Sequence, residues 1–487
     1  MILLKDILLL YTGTEEIYGA DVVIDGNRIT QIGKGLDAGR LNADHGTRSD
    51  AGGLKADTGV RPGRGRQPDG GRPEEVEVID CRNLVVLPGF VNTHHHFYQT
   101  LQRCVREIQD APLFSWLKRL YQIWKHLDDD SVYWSTLVAC GELLKTGCTT
   151  STDNLYVFPR GKSSRFIDVE IEAAGRIGMR FHPTRGSMSR GERDGGLPPD
   201  EVVQTEGEIL EDSERLVSTY HDPSPGAMVR IALAPCSPFS VSEKGLRETA
   251  DFARKKGVLL HTHLAETEDE TAYCLEKYGV RPLDLMERCG WVGRDVWFAH
   301  GVHFTDAELA KLAQTDTGIC HCPTSNMRLG SGRARVPEML RLGIRVGLGV
   351  DGSASNDSSD MLGELRNCFL VQRLAAGSGA ITARDVINLA TRGGASLLAR
   401  DDIGSLRPGM VADLVGINVF DIAHAGALHD YLASLVLCGA SHEVDLTIVN
   451  GRVVVREGRL LTVDEDEVVR NANAAAKRMM EAMASTR

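Results

Sequence analysis

Three consecutive histidines, His94-His95-His96, follow the apolar run Leu84–Val91. The run reads as a buried strand, and alternation along a strand sends His94 and His96 to one side and His95 to the other. Two imidazoles on one side can share a metal ion, and His95 is expected to pack. Further along, His263, His300 and Asp351 each close or follow an apolar stretch. Three imidazoles and a carboxylate suit a borderline-soft divalent ion such as zinc, with one coordination position left for water. Such an ion lowers the pKa of bound water from about 15.7 to roughly 7. His261 also alternates toward the same interior, one layer deeper. His263 is preferred because Glu266 follows three residues later, where a carboxylate can carry protons to a leaving group.

Those residues need a scaffold that brings distant segments to one mouth. Apolar strand candidates end near Thr93, Thr152, Thr184, Pro235, His263, His300, His321 and Asp351, and helical patterns separate most of them. Two such helices span Ser131–Thr146 and Glu243–Lys256, and Gly147 and Gly257 stop them as C-terminal glycines do. Eight β-to-α steps predict an α/β fold, a (β/α)8 TIM-type barrel whose catalytic groups sit at the C-terminal strand ends. Short β runs stand at both ends of the chain: Ile7–Tyr11, Ala20–Ile24 and Ile29–Ile32, then Val411–Val415, Leu446–Val449 and Arg452–Val455. Each set is too small to fold alone, so both are expected to pair into one small β-sandwich domain. The expected organisation is 1–86 for the first part of the sandwich, 87–403 for the barrel, 404–460 for the second part of the sandwich and 461–487 for a helical tail. Between Asp37 and Pro73 the chain turns to Gly, Arg, Asp and Pro, which cannot repay ordering by burial. That segment is read as a disordered insertion.

Composition excludes several function classes. The formal net charge of −12 is spread over 487 residues without a basic stripe, so a nucleic-acid polymer is not an expected partner. Eleven cysteines, an odd number, lie scattered in apolar segments as buried thiols do in a reducing compartment, so a cytoplasmic location is expected. The start Met1-Ile2-Leu3-Leu4-Lys5-Asp6 has no basic leader, and no stretch reaches the length of a membrane span. Gly347-Leu348-Gly349-Val350-Asp351-Gly352 matches a dinucleotide-binding pattern but lacks the early βαβ context. Cys320-His321-Cys322 is read as a core strand end.

The segments Pro88–His96, His261–Glu266, Ala299–His303, Ser325–Gly330 and Gly349–Gly352 together resemble the amidohydrolase superfamily, in its cytosine/guanine deaminase and chlorohydrolase branch. The resemblance covers nearly the whole chain outside the insertion. It implies a hydrolase that binds one zinc ion, with iron the alternative, through His94, His96, His263 and Asp351. It implies Glu266 and His300 as the residues that handle protons and position the nucleophile. Within the branch, His94–Leu101, Arg185–Ser189 and Gly195–Asp200 resemble 8-oxoguanine deaminases, with hydroxyatrazine-type or pterin aminohydrolases as the alternative.

The expected chemistry is therefore hydrolytic deamination of an aminated heterocycle, with Glu266, His300 and Asp351 as catalytic groups. Gln99 offers an amide donor and acceptor to a purine edge. Arg185, expected at the end of strand three, holds a substrate oxygen or forms a surface salt bridge. Trp116 stacks on the ring or is a core aromatic. A homo-oligomer is expected. The reading from another class, a non-catalytic barrel scaffold, is disfavoured by the full ligand set and Glu266.

Overall fold

The computed structural model describes residues 1–41, 76–438 and 443–485. Eight parallel strands close into a barrel: Phe90–Asn92, Cys148–Leu155, Arg180–Ser187, Ala232–Pro235, Leu259–Leu264, Val296–His300, Gly318–His321 and Val346–Leu348. The seam is the pairing of Leu348 with Asn92. Helices lie between the strands as expected. One runs from Asp129 to Lys145, where the Asp128 side chain accepts the Ser131 backbone N–H and starts the helix. Another runs from Glu243 to Lys256 and ends at Gly257 with φ 70°, a left-handed conformation that costs glycine little.

Both chain ends build one nine-stranded sheet. Leu414–Asn418 pairs antiparallel with Leu84–Pro88, and so joins the C-terminal strands to the N-terminal ones. Ile7, Leu10, Val22 and Ile24 from one end share a buried cluster with Leu414, Leu446 and Ile448 from the other. This is why neither set of strands is independent.

The apolar run Leu84–Val91 is two strands, not one. Leu84–Pro88 belongs to the terminal sheet and Phe90–Asn92 to the barrel. Gly89 is the crossing point: a Cβ there would lie 2.2 Å from the Thr149 side chain, and its N–H donates to the Asp413 carbonyl at 3.0 Å. Below the barrel, Arg180 places Nε 2.7 Å from Asp413 Oδ2 and Nη2 3.0 Å from Oδ1. Both residues are fully buried, and the pair ties the third barrel strand to the terminal sheet.

The helix Glu465–Ser485 buries Ala472, Ala475, Met479 and Met483 in a cluster with Leu113, Trp116 and Trp124. Of the segment 37–73, residues 38–41 form a helical turn in which the Asp37 carboxylate accepts the Arg40 N–H, and the rest lies outside the described residues. Among the described residues no helix is long and apolar enough to cross a membrane. All eleven cysteines are free, and of these only Cys104 and Cys438 are exposed.

Candidate metal centre and active site

The strand ends bring His94, His96, His263 and Asp351 together. Asp351 Oδ1 lies 3.4 Å from His94 Nε2 and 3.3 Å from His96 Nε2. His96 Nε2 and His263 Nε2 are 3.1 Å apart. Two donors about 2.0–2.1 Å from one ion at a tetrahedral angle lie roughly 3.3–3.4 Å from each other, so the spacing fits one small divalent cation.

The tautomers agree with that fit. His96 Nδ1 donates to the Asn154 carbonyl at 2.7 Å and His263 Nδ1 to the Cys236 carbonyl at 2.6 Å. Each ring then presents a bare Nε2 lone pair to the centre. His94 Nε2 is buried with no hydrogen-bond partner, an arrangement that is costly unless something electrophilic completes it. Burial lowers the pKa of all four site imidazoles, His263 and His300 to about 4 and His94 well below its ordinary value. They are therefore neutral at pH 7, as ligands must be. Burial alone would raise Asp351, but the surrounding imidazoles of His94, His300 and His96 hold its carboxyl well below the usual range.

Three mouth residues adopt left-handed backbone: Ala265 with φ 54°, His300 with φ 73° and Asp351 with φ 65°. Such conformations persist in non-glycine residues where surrounding bonds over-determine them. Asp351 N–H donates to the His94 carbonyl at 3.1 Å, and its Oδ2 accepts from Ser325 Oγ at 2.6 Å. Glu270 accepts the Ala265 and Glu266 amides, both at 3.0 Å, and so fixes the turn that aims Glu266. The Glu266 carboxyl stands with Oε2 3.7 Å from His300 Nε2. Burial, and then the charges of Asp351 and Glu270, push its pKa well above the ordinary value. Asn326 Nδ2 donates to His300 Nδ1 at 3.1 Å, which leaves the imidazole proton on Nε2, facing Glu266 and Asp351.

The cavity over this cluster is walled by Leu113, Trp116, Leu117, Tyr156, Phe239 and Leu329. Gln99 lines it, and Gln99 Oε1 is buried without a partner. Gly352 makes the room, since a Cβ there would lie 2.0 Å from that oxygen. Trp116 is a core aromatic that also lines the cavity: it packs edge-on against Trp124 while its Nε1 donates to the Ala354 carbonyl at 3.3 Å.

Arg185 is not a cavity residue. The third strand runs to Ser187, three residues beyond Thr184, and Arg185 turns outward, where its Nε meets Asp212 Oδ2 at 2.6 Å and its Nη2 meets Gln204 Oε1 at 2.8 Å. The ion pair is buried rather than on the surface. His95 packs away from the centre with Nε2 2.9 Å from Ser359 Oγ. The glycine pattern at Gly347–Gly352 serves close packing, because a Cβ on Gly349 would lie 2.9 Å from His94 Cβ. Cys320 and Cys322 stay in the core. Sequence reasoning assigned no role to Ser325, Asn326, Glu270 or Tyr156. Ser325-Asn326 sits in a segment that carried the family resemblance, which was the available signal.

A barrel with a histidine-rich metal cluster at its C-terminal mouth and a sheet built from both chain ends defines a metal-dependent hydrolase. The chain belongs to the Amidohydrolase family, which it matches over residues 85–454; it is an enzyme acting on carbon–nitrogen bonds. It is 47% identical to an 8-oxoguanine deaminase of Pseudomonas aeruginosa over 402 residues, which cover 82% of this chain and 89% of that protein. It is 40% identical to a hydroxydechloroatrazine ethylaminohydrolase of Pseudomonas sp. strain ADP, over 84% of this chain and 86% of that one. The crystal structure of the atrazine chlorohydrolase TrzN from Arthrobacter aurescens TC1, complexed with zinc, superposes with a TM-score of 0.87 at 31% identity, covering 98% of this chain and 100% of TrzN.

Proposed function

We propose that this enzyme binds one zinc ion and hydrolytically deaminates a free oxidised purine, with 8-oxoguanine the first candidate. The observation that carries the proposal is Glu266, a buried carboxyl with a raised pKa that faces the same cavity as Asp351 and His300 and is not needed as a ligand. A protonated acid beside a metal cluster fits an aminohydrolase, because the reaction must protonate both a ring nitrogen and a departing amine.

A divalent ion held by His94, His96, His263 and Asp351 would supply water that is ionised at neutral pH. As its oxygen adds to the amine-bearing ring carbon, Glu266 gives its proton to the adjacent ring nitrogen. Asp351 Oδ2 takes the proton of the adding oxygen and helps deliver it to the amine, which leaves as ammonia while the carbon becomes a carbonyl. His300 Nε2–H is preorganised to stabilise charge on that oxygen. Gln99 presents its unpartnered amide oxygen to a ring N–H, and Trp116 forms an aromatic wall for the heterocycle. Among the described residues no lysine or arginine lines the cavity, which favours a free base over a phosphorylated nucleotide. The 47% identity to an 8-oxoguanine deaminase supports the purine reading, and the 40% identity to a triazine aminohydrolase supports the runner-up.

Ammonia release measured on 8-oxoguanine, guanine, isoxanthopterin and a hydroxyatrazine-type amino-triazine separates the two. The proposal expects 8-oxoguanine to have the highest kcat/KM. Preference for the triazine would replace it with the runner-up, and no turnover of any member would overturn the deaminase assignment.

A further inference from the structure

Two of the three metal-facing histidines are oriented by main-chain carbonyls, and the third is not. His96 and His263 donate Nδ1–H to Asn154 O and Cys236 O, contacts that no substitution of a side chain removes. His94 Nδ1 instead meets His261 Nε2 at 2.8 Å. His261 Nδ1 in turn lies 3.0 Å from the Trp297 carbonyl. A carbonyl can only accept, so His261 carries its proton on Nδ1 and its Nε2 is a bare acceptor. His94 must then donate from Nδ1, which strips the proton from the Nε2 that faces the metal centre.

Trp297 holds both ends of this chain. Its indole stacks on the His261 ring with centroids 4.4 Å apart and an interplanar angle of 17°. Its Nε1 donates to the Thr93 carbonyl at 3.0 Å, immediately before His94. His261 and Trp297 are fully buried, so water does not compete for these bonds. One residue of the sixth strand thus sets the rotation and tautomer of His261 and the position of the segment that carries His94.

We propose that His261 is a positioning residue that fixes His94 as the Nδ1–H tautomer and thereby tunes metal affinity, making His94 the one ligand histidine controlled by another side chain. The proposal rests on the metal reading above. Outer contacts of this kind change metal affinity by about 10–100-fold.

The test compares His261→Met, which keeps bulk but offers only a weakly accepting thioether, with His261→Gln, whose amide oxygen accepts strongly. Zinc dissociation constants are measured on zinc-depleted protein by competition with a chromophoric chelator, with the Tm of the metal-free proteins as a control for folding. His261→Met should bind zinc about 10–100-fold more weakly than the unmutated chain, and His261→Gln at least about tenfold more tightly than His261→Met. Binding by His261→Met at the unmutated level, or equal losses in both variants, would overturn the relay.

A second measurement needs no variant. Two-bond 1H–15N correlations in metal-free protein labelled with 15N-histidine should show both His261 and His94 protonated at Nδ1, and an Nε2–H tautomer at either residue would overturn the proposal. If the unmutated protein bound no zinc, the metal reading itself would fail, and the NMR result would still judge the relay.

Discussion

Asp351 and His94 meet twice across the closing seam of the barrel: the Asp351 N–H donates to the His94 carbonyl at 3.1 Å, and Asp351 Oδ1 faces the bare His94 Nε2 at 3.4 Å, the spacing of two donors around one ion. The backbone bond forces Asp351 into its left-handed conformation, and that conformation aims the carboxylate at the imidazoles. Asparagine tolerates left-handed backbone well, so Asp351→Asn should fold normally while it removes the one anion of the proposed ligand set. Zinc affinity, measured by chelator competition, should fall by more than the roughly 10–100-fold typical of an outer contact. Unchanged affinity would remove Asp351 from the ligand set.

Arg185 is predicted to serve stability rather than substrate binding. Arg185→Ala leaves Asp212 with Arg215, whose Nε lies 3.0 Å from Asp212 Oδ1, so the stranded carboxylate keeps one partner. The loss should be near the low end for breaking a buried pair, about 3 kcal/mol by denaturant titration. KM for the preferred substrate should not change in the folded fraction. A raised KM with unaltered stability would return Arg185 to the cavity.

A second buried carboxyl pair gives a pH prediction. Asp153, which accepts the Phe97 N–H, and Glu170 are fully buried against each other, and burial raises both above the ordinary carboxylate range. A carboxyl with a raised folded-state pKa contributes stability that is complete below its unfolded pKa of about 4 and is lost as pH rises toward the folded value. Glu170→Gln removes one of the two acids and gives Asp153 a neutral amide donor. The decline in Tm between acidic and mildly alkaline pH should therefore be shallower in the variant. Parallel Tm profiles would contradict the coupling.

The barrel was legible because its chemistry residues stand at strand ends, which makes the apolar stretches before His94, His263, His300 and Asp351 easy to delimit. The shared terminal sheet was legible because each set of strands was too short to stand alone. The break at Gly89 was hidden, since the strands on either side are equally buried and the signal is a close approach to Thr149, a tertiary fact. Arg185 was misplaced because alternation gives the spacing of faces but not which face is the interior once a strand runs three residues further. Ser325 and Asn326 stand on the short helix after the seventh strand, and their bonds to Asp351 and His300 exist only after closure, whereas Glu270 stands on the helix that follows Glu266 and bonds the turn amides locally. Glu266 was found by its spacing from His263, whereas its raised pKa depends on burial that only the fold creates.

On the proposed mechanism Glu266 transfers protons without holding the metal, and Glu266→Gln tests that central point most directly. The substitution keeps the shape of the side chain and removes its exchangeable proton. On the substrate the unmutated enzyme prefers, ammonia release should fall by about two to four orders of magnitude while the zinc content per chain is unchanged. Near-normal ammonia release would remove Glu266 from the reaction, and loss of zinc would make it a ligand; either result would contradict the account.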